Sequence, residues 1–307
     1  MKILVTGVNG FAGKHLVRRL NQDGHQVIGL GHSKVHGEIE KLLTGYINCD
    51  LTSKQQVKGL DLRSLDAVIS LAGLIKKKDS NQTDDDFNSI NVSVFSNLGE
   101  HLLELNSKAR VIAVSTSLVY DQSQPLPFDE ESTTITNALP YAKSKLLMED
   151  SANELREAGL DCIVVRPFNH TGPGQATGYL IPDIYYKLQQ YKMTGASVMV
   201  GPKDTRRDYT DVRDVVKAYA DLATAKTLDY KTYNICSGTS RSFSDILTTI
   251  EAAMGIEGAP LEINRDYARP NDALELYGSS LRIYTEFGWK PTIAFEQTIK
   301  DFVDHMT

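Results

Sequence analysis

The opening residues MKILVTGVNGFAG constrain this chain more than any other stretch. Ile3, Leu4 and Val5 make a short apolar run with β-branched members, Thr6 and Gly7 end it, and Gly10 and Gly13 follow at even spacing. Leu16, Val17 and Leu20 then recur with helical periodicity, so a strand, a tight turn and a helix start are expected in quick succession. Glycine supplies the turn's unusual backbone angles and lets another group approach the main chain closely. The free amides and positive dipole end of the helix favour a phosphate there. Gly7, Asn9, Gly10, Phe11, Ala12 and Gly13 are therefore candidate phosphate-facing residues. A tight strand-to-helix turn with no ligand is the alternative, because the spacing is G-x-x-G-x-x-G and not G-x-G-x-x-G.

The end of the second expected strand, Gln26 to Leu30, bears on which dinucleotide would fit. A carboxylate about twenty residues past the glycines would bind ribose hydroxyls and select NAD. Gly31, His32, Ser33 and Lys34 stand there instead. A small neutral residue followed by hydroxyl and cationic groups suits a 2′-phosphate, which points to NADP with NAD as the alternative. Ser33 and Lys34 could equally be solvated loop residues. Beyond the next strand, Asp50 and Leu51 could meet an adenine amino group. Leu71, Ala72 and Gly73 close a buried run with small residues that would let a flat cofactor cross the strand ends.

The buried runs Asp66 to Gly73, Ala109 to Val114 and Leu160 to Val165 alternate with helical patterns, including Val92, Phe95, Leu98, Leu102 and Leu105. That alternation predicts an α/β fold with a doubly wound parallel sheet. The chain from Arg166 to Gly174 is expected to break into loop, and the pattern beyond it is irregular. Tyr179 to Tyr191 and Phe243 to Met254 read as helices; Val198 to Val200, Thr232 to Ile235 and Leu261 to Ile263 read as short strands. Lys76 to Asp86 reads as a solvated loop. A dinucleotide-binding domain is expected over 1–168, with contributions from about 208–250. The remainder, 169–307, is expected to be mainly a smaller substrate-binding domain interleaved with the first.

The 307 residues carry a net charge of −6 and no basic footprint, which argues against nucleic acid as a partner. No run approaches the roughly 18 apolar residues of a membrane span, and no secretory signal is expected. Cys49, Cys162 and Cys236 are far apart and lie beside apolar residues. They read as buried free thiols, not as a disulfide framework or a metal site, and suit a cytoplasmic protein.

Tyr141 and Lys145 lie four residues apart on one expected helix face. Of the 14 tyrosines, this is the only one followed by a lysine at that spacing. Ser115, Thr116 and Ser117 end the strand before it. With TGVNGFAG, LAG, STSLVYD and YAKSK in this order, the chain resembles the extended short-chain dehydrogenase/reductase family over nearly its whole length. RPFNHTGPGQ, RRDYTDVRDVVKAY and YNICSG are similar to nucleotide-sugar-modifying members, closest to those reducing GDP-4-keto-6-deoxy sugars.

The resemblance implies a catalytic set of Thr116, Tyr141 and Lys145. It implies a nucleotide-sugar substrate held by Thr116, Ser117, Asn169, Arg207 and Arg269, and a homodimer built on helices near 92–105 and 141–157. Guanidinium forks suit a diphosphate, although Arg207 and Arg269 could also be surface ion pairs. Family dehydratases carry carboxylates after the catalytic threonine; Ser117 and Leu118 stand here, and elimination needs a positioned acid and base. A ketone reductase is expected, with a 4-epimerase holding NAD tightly, or a non-catalytic NADP-binding regulator, as alternatives. Lys145 is expected to lower the Tyr141 pKa. An ammonium about 4 Å away at an effective dielectric near 20 contributes ~4 kcal/mol, roughly 3 pKa units.

Overall fold

The computed structural model describes residues 1–74, 83–136, 138–201, 204–264 and 273–307. The amino-terminal half alternates β1 (Lys2–Thr6), α1 (Phe11–Gln22), β2 (Gln26–Gly31), α2 (Glu38–Leu42), β3 (Gly45–Asn48), α3 (Lys54–Lys58), β4 (Ala67–Ser70), α4 (Asp84–Glu104), β5 (Arg110–Val114), α5 (Pro140–Glu157) and β6 (Cys162–Pro167). After β7 (Asn169–Thr171) come α6 (Leu180–Thr194), β8 (Val198–Val200), β9 (Arg206–Asp211), α7 (Val212–Thr224), β10 (Thr232–Ile235), β11 (Ser240–Ser242) and α8 (Phe243–Met254). The chain ends with β12 (Leu261–Ile263), β13 (Glu275–Leu276), α9 (Leu281–Phe287) and α10 (Phe295–Met306).

Seven strands form one sheet in the order β10-β6-β5-β4-β1-β2-β3, and every pairing in it is parallel. Because strand side chains alternate between faces, each apolar run feeds two cores. Ile3, Val5, Ala67, Ile69, Ile112, Val114, Ile163 and Val165 meet α1 and α7 on one side. Leu4, Val68, Val111, Ala113, Cys162 and Val164 meet α4 and α5 on the other. A sheet covered on both faces needs such continuous apolar strands, and each fully buried Leu, Ile or Val contributes about 1.5–3 kcal/mol. The doubly wound parallel sheet expected from the sequence is the one observed.

Beyond β6 a second, smaller arrangement forms. β9 pairs with β11 antiparallel and with β7 and β13 parallel, while β8 pairs with β12. Helices α6, α8 and α10 close a third core over it, including Tyr185, Leu188, Ile250 and Phe302. Tyr120, Phe128, Phe168, Cys236 and Leu276 form a small cluster of their own. All three cysteines are free and buried. Among the described residues, no helix is long and apolar enough to cross a membrane.

Two expectations need correction. Arg166 and Pro167 do not open a loop; both belong to β6, and Asn169 to Thr171 form a further short strand. The Arg166 guanidinium is neutralised inside the fold by Glu149, which lets a charged residue continue a buried strand. Helix α4 also begins within the charged stretch read as loop. Thr83 caps it, with Asp86 reaching back to the Thr83 amide in a reciprocal capping box. Most of that stretch, 76–82, lies outside the described residues.

Candidate active site

Almost every residue singled out in the first half sits just past the carboxyl end of a parallel strand. Gly7 to Gly13 follow β1, His32 to Lys34 follow β2, Asp50 and Leu51 follow β3, Leu71 to Gly73 follow β4, and Thr116 and Ser117 follow β5. Five parallel strands thus deliver them to one edge of the sheet, the edge at which ligands of such folds bind.

The glycines are used for contact. Gly7 takes φ +72°, and a Cβ there would lie 3.0 Å from the Ala72 amide nitrogen. At Gly13 a Cβ would come within 2.1 Å of the Gly7 carbonyl oxygen, so no other residue fits this helix–turn junction. Gly10 is the N-cap of α1 and supplies no side-chain cap, and the first turn carries no acidic residue. Its amides are therefore free to meet an anion. Thr6 ties this turn to the neighbouring strand end, its hydroxyl oxygen accepting from the Leu71 and Ala72 amides at 3.1 and 2.9 Å. This cradle of backbone amides and missing side chains fits a dinucleotide pyrophosphate.

At the end of β2, the Asn9 amide group donates to the Lys34 carbonyl at 3.0 Å, and Tyr46 donates its hydroxyl to the Ser33 carbonyl. The loop after β2 is thus held by its main chain, which leaves the Ser33 and Lys34 side chains unused by those bonds. One oxygen of Asp50 accepts from the Thr52 amide and hydroxyl, which helps hold the carboxyl below its usual range.

Tyr141 and Lys145 both lie on α5, with Pro140 in its first turn. Lys145 is 7% exposed and donates from Nζ to the Val114 carbonyl at 2.8 Å. Burial pushes its pKa down to about 8, opposed by the Glu149 carboxylate one helical turn on. Burial pushes Tyr141 up to about 12, with the Tyr179 phenol adding in the same direction. The expected depression of the tyrosine by Lys145 is therefore not what this site sets up. Desolvation disfavours the charged form of both groups, and the lysine amine is drawn to the end of β5. Thr116, 9% exposed, caps a short turn through its hydroxyl, which accepts from the Leu118 amide. The adjacent Ser115 hydroxyl is buried with no hydrogen-bond partner among the described residues.

Sequence reasoning missed Asn91. It is 2% exposed on α4; its Oδ1 accepts from the Leu74 amide at 2.6 Å. Its Nδ2 donates to the Leu74 carbonyl and to the Ser144 hydroxyl, and Ser144 in turn donates to the Tyr141 carbonyl. One amide therefore joins the chain after β4 to the helix carrying Tyr141 and Lys145. The signal was legible: Phe87, Asn91, Val94, Phe95 and Leu98 share one helix stripe, and a lone amide on a buried stripe must find partners. Asn91→Ala should cost about 1–3 kcal/mol by leaving the Leu74 amide and Ser144 unpaired. Denaturant unfolding checks this, and an undisturbed midpoint would remove Asn91 from the scaffold of the site.

The second half contributes Asn169, exposed on β7, and Arg207, on β9. Asn169 pairs with Tyr209 in the strand register, and one Arg207 nitrogen donates to the Arg206 carbonyl at 2.8 Å. Arg269 lies outside the described residues. His170 stacks on the Phe11 ring at 6.1 Å between centroids, and His15 bonds the Pro173 carbonyl. The start of α1 is thereby in contact with the segment that follows β6.

Comparison with known proteins agrees with this geometry. Residues 3–236 match the model of the NAD dependent epimerase/dehydratase family. The chain is 30% identical to a GDP-6-deoxy-D-mannose reductase of Pseudomonas aeruginosa, covering 97% of this chain and 95% of the relative. It is 26% identical to a UDP-glucose 4-epimerase of Cyamopsis tetragonoloba, over 97% and 92%. The structure of RMD from Pseudomonas aeruginosa complexed with NADPH superposes with a TM-score of 0.82 at 28% identity, covering 99% of this chain and 98% of that one.

Proposed function

The chain belongs to the NAD dependent epimerase/dehydratase family, and on that basis we propose that it is a nucleotide-sugar 4-keto reductase. The substrate in this reading is a GDP- or dTDP-linked 4-keto-6-deoxyhexose, reduced to a 6-deoxyhexose nucleotide. The observation that carries it is the placing of Tyr141 and Lys145 on α5 with Thr116 at the end of β5, and no carboxylate at residues 117 or 118. The full-length similarity to a GDP-6-deoxy-D-mannose reductase supports the same reading.

Gly7, Asn9, Gly10, Phe11, Ala12 and Gly13 would hold the dinucleotide pyrophosphate, and His32, Ser33 and Lys34 its adenosine end. The missing carboxylate after β2 favours NADP over NAD. When bound, the cofactor supplies the hydride. Tyr141 donates a proton to the carbonyl oxygen as it gains charge, and Thr116 donates a hydrogen bond to the same oxygen. With its pKa pushed to about 12, Tyr141 carries that proton throughout the neutral range, as reduction requires. Lys145 holds the nicotinamide ribose. Ser117, Asn169, Arg207 and Arg269 orient the sugar nucleotide.

A 4-epimerase is the second reading, favoured by the 26% identity to a UDP-glucose 4-epimerase. The two differ in stoichiometry. Incubation with GDP- and dTDP-4-keto-6-deoxyhexoses should consume one NADPH per product, faster than NADH. Turnover of a UDP-hexose without added nicotinamide would transfer the assignment to the epimerase.

A further inference from the structure

Gly29 and Gly31 lie on one face of β2, and both meet a single side chain from the edge strand β3. A Cβ at Gly29 would come within 2.7 Å of the Tyr46 ring, and one at Gly31 within 3.2 Å of the Tyr46 hydroxyl. Gly29 is also the register partner of Tyr46. The Tyr46 ring therefore lies across β2, in the room left by the two missing side chains. Its hydroxyl is carried along the strand to the segment that follows, where it donates to the Ser33 carbonyl at 2.5 Å.

Packing alone would be served by a phenylalanine; the hydroxyl adds an orientation. A trans peptide is planar, with its carbonyl and its N–H on opposite sides. Holding the Ser33 carbonyl against Tyr46 turns the Lys34 amide the other way, and the Asn9 bond to the Lys34 carbonyl does the same for the Val35 amide. Neither amide donates to any group among the described residues. The side chains of His32, Ser33 and Lys34 are exposed beside them. Glu38, the first carboxylate further along the chain, is bound by the Arg18 guanidinium at 2.8 Å, so its charge is already compensated. A backbone amide beside a hydroxyl and an ammonium is a donor set suited to a phosphate monoester.

We propose that Tyr46 is a positioning residue for the dinucleotide's 2′-phosphate. Its hydroxyl fixes the peptide between Ser33 and Lys34, so that the Lys34 amide and the Ser33 and Lys34 side chains meet that phosphate together. Tyr46 acts through this segment and not by contact with the phosphate. The proposal rests on the NADP reading given above and adds the residue, on a different strand, that sets the preference. NADH carries no phosphate at this position, so its binding makes no use of the oriented peptide.

Isothermal titration of the full chain with NADPH and, separately, with NADH tests this on the native protein and on Tyr46→Phe. Phenylalanine keeps the ring over Gly29 and Gly31 and removes only the donor. The native protein is expected to prefer NADPH. In Tyr46→Phe the NADPH affinity should fall about 10-fold and the NADH affinity by no more than about twofold. Gly29→Ala, which displaces the ring and its hydroxyl together, should narrow the preference in the same direction and keeps the test valid if Tyr46→Phe does not fold. Equal losses for both dinucleotides would show that the hydroxyl only supports the fold, and an unchanged preference in every folded variant would remove Tyr46 from selectivity; either overturns the positioning role alone. A native protein that binds neither dinucleotide, or binds NADH as tightly as NADPH, overturns the NADP reading and the proposal with it.

Discussion

Tyr141→Phe is expected to lower turnover by roughly 100- to 10,000-fold, the usual contribution of a positioned general acid, with NADPH affinity nearly unchanged. The substitution removes only a hydroxyl, so the packing of α5 and the glycine cradle remain. A phenol pushed to about 12 is fully protonated at pH 7, and reduction of a ketone needs that proton. The reverse reaction needs the phenolate, which this environment disfavours. Alcohol oxidation by the native protein should therefore rise with pH across the range in which reduction stays level. Stopped-flow measurement of NADPH oxidation on both proteins decides the point. A Tyr141→Phe rate within a few-fold of native would remove Tyr141 from the chemistry and with it the proposed mechanism.

What the sequence disclosed followed from local constraints. The β1 turn was readable because positive φ and a near-contact between Gly13 and Gly7 leave glycine alone to serve. The strands were readable because a two-sided sheet demands continuous apolar runs. The Tyr141–Lys145 pair was visible because helix periodicity fixes their common face. The effect of Lys145 on Tyr141 was not, since it depends on where the amine bonds and how dry the site is. Spacing says nothing of either. Arg166 was misread for a related reason: its partner Glu149 lies on a different element, and only the fold reveals that two charges are one neutral buried unit. Charges at Lys145 and Glu149 on the apolar stripe of Ala142, Met148, Ala152 and Leu155 were the available clue.

In the proposed mechanism that pair also links stability to catalysis. Arg166 donates to Glu149 in a fork at 3.1 and 2.7 Å, both side chains under 10% exposed, and its guanidinium lies 4.9 Å over the Tyr120 ring. Tyr120 in turn donates to Asn234 on β10 at 2.6 Å, so the network runs from α5 across β6 to the sheet edge. Arg166→Met should cost about 3–5 kcal/mol because it strands a buried carboxylate. The double replacement Glu149→Leu with Arg166→Met should recover much of that loss, since replacing both partners leaves no charge to solvate. The effect on Lys145 has the opposite sign for the two single changes. The Glu149 carboxylate raises the Lys145 pKa, against burial that lowers it to about 8. Glu149→Gln removes that support, so Lys145 loses its proton at lower pH and the alkaline limb of kcat/KM for NADPH moves down. Arg166→Met leaves the carboxylate uncompensated while it stays ionised, so the limb moves up. Shifts in the same direction, or none, would show that Lys145 does not feel the pair.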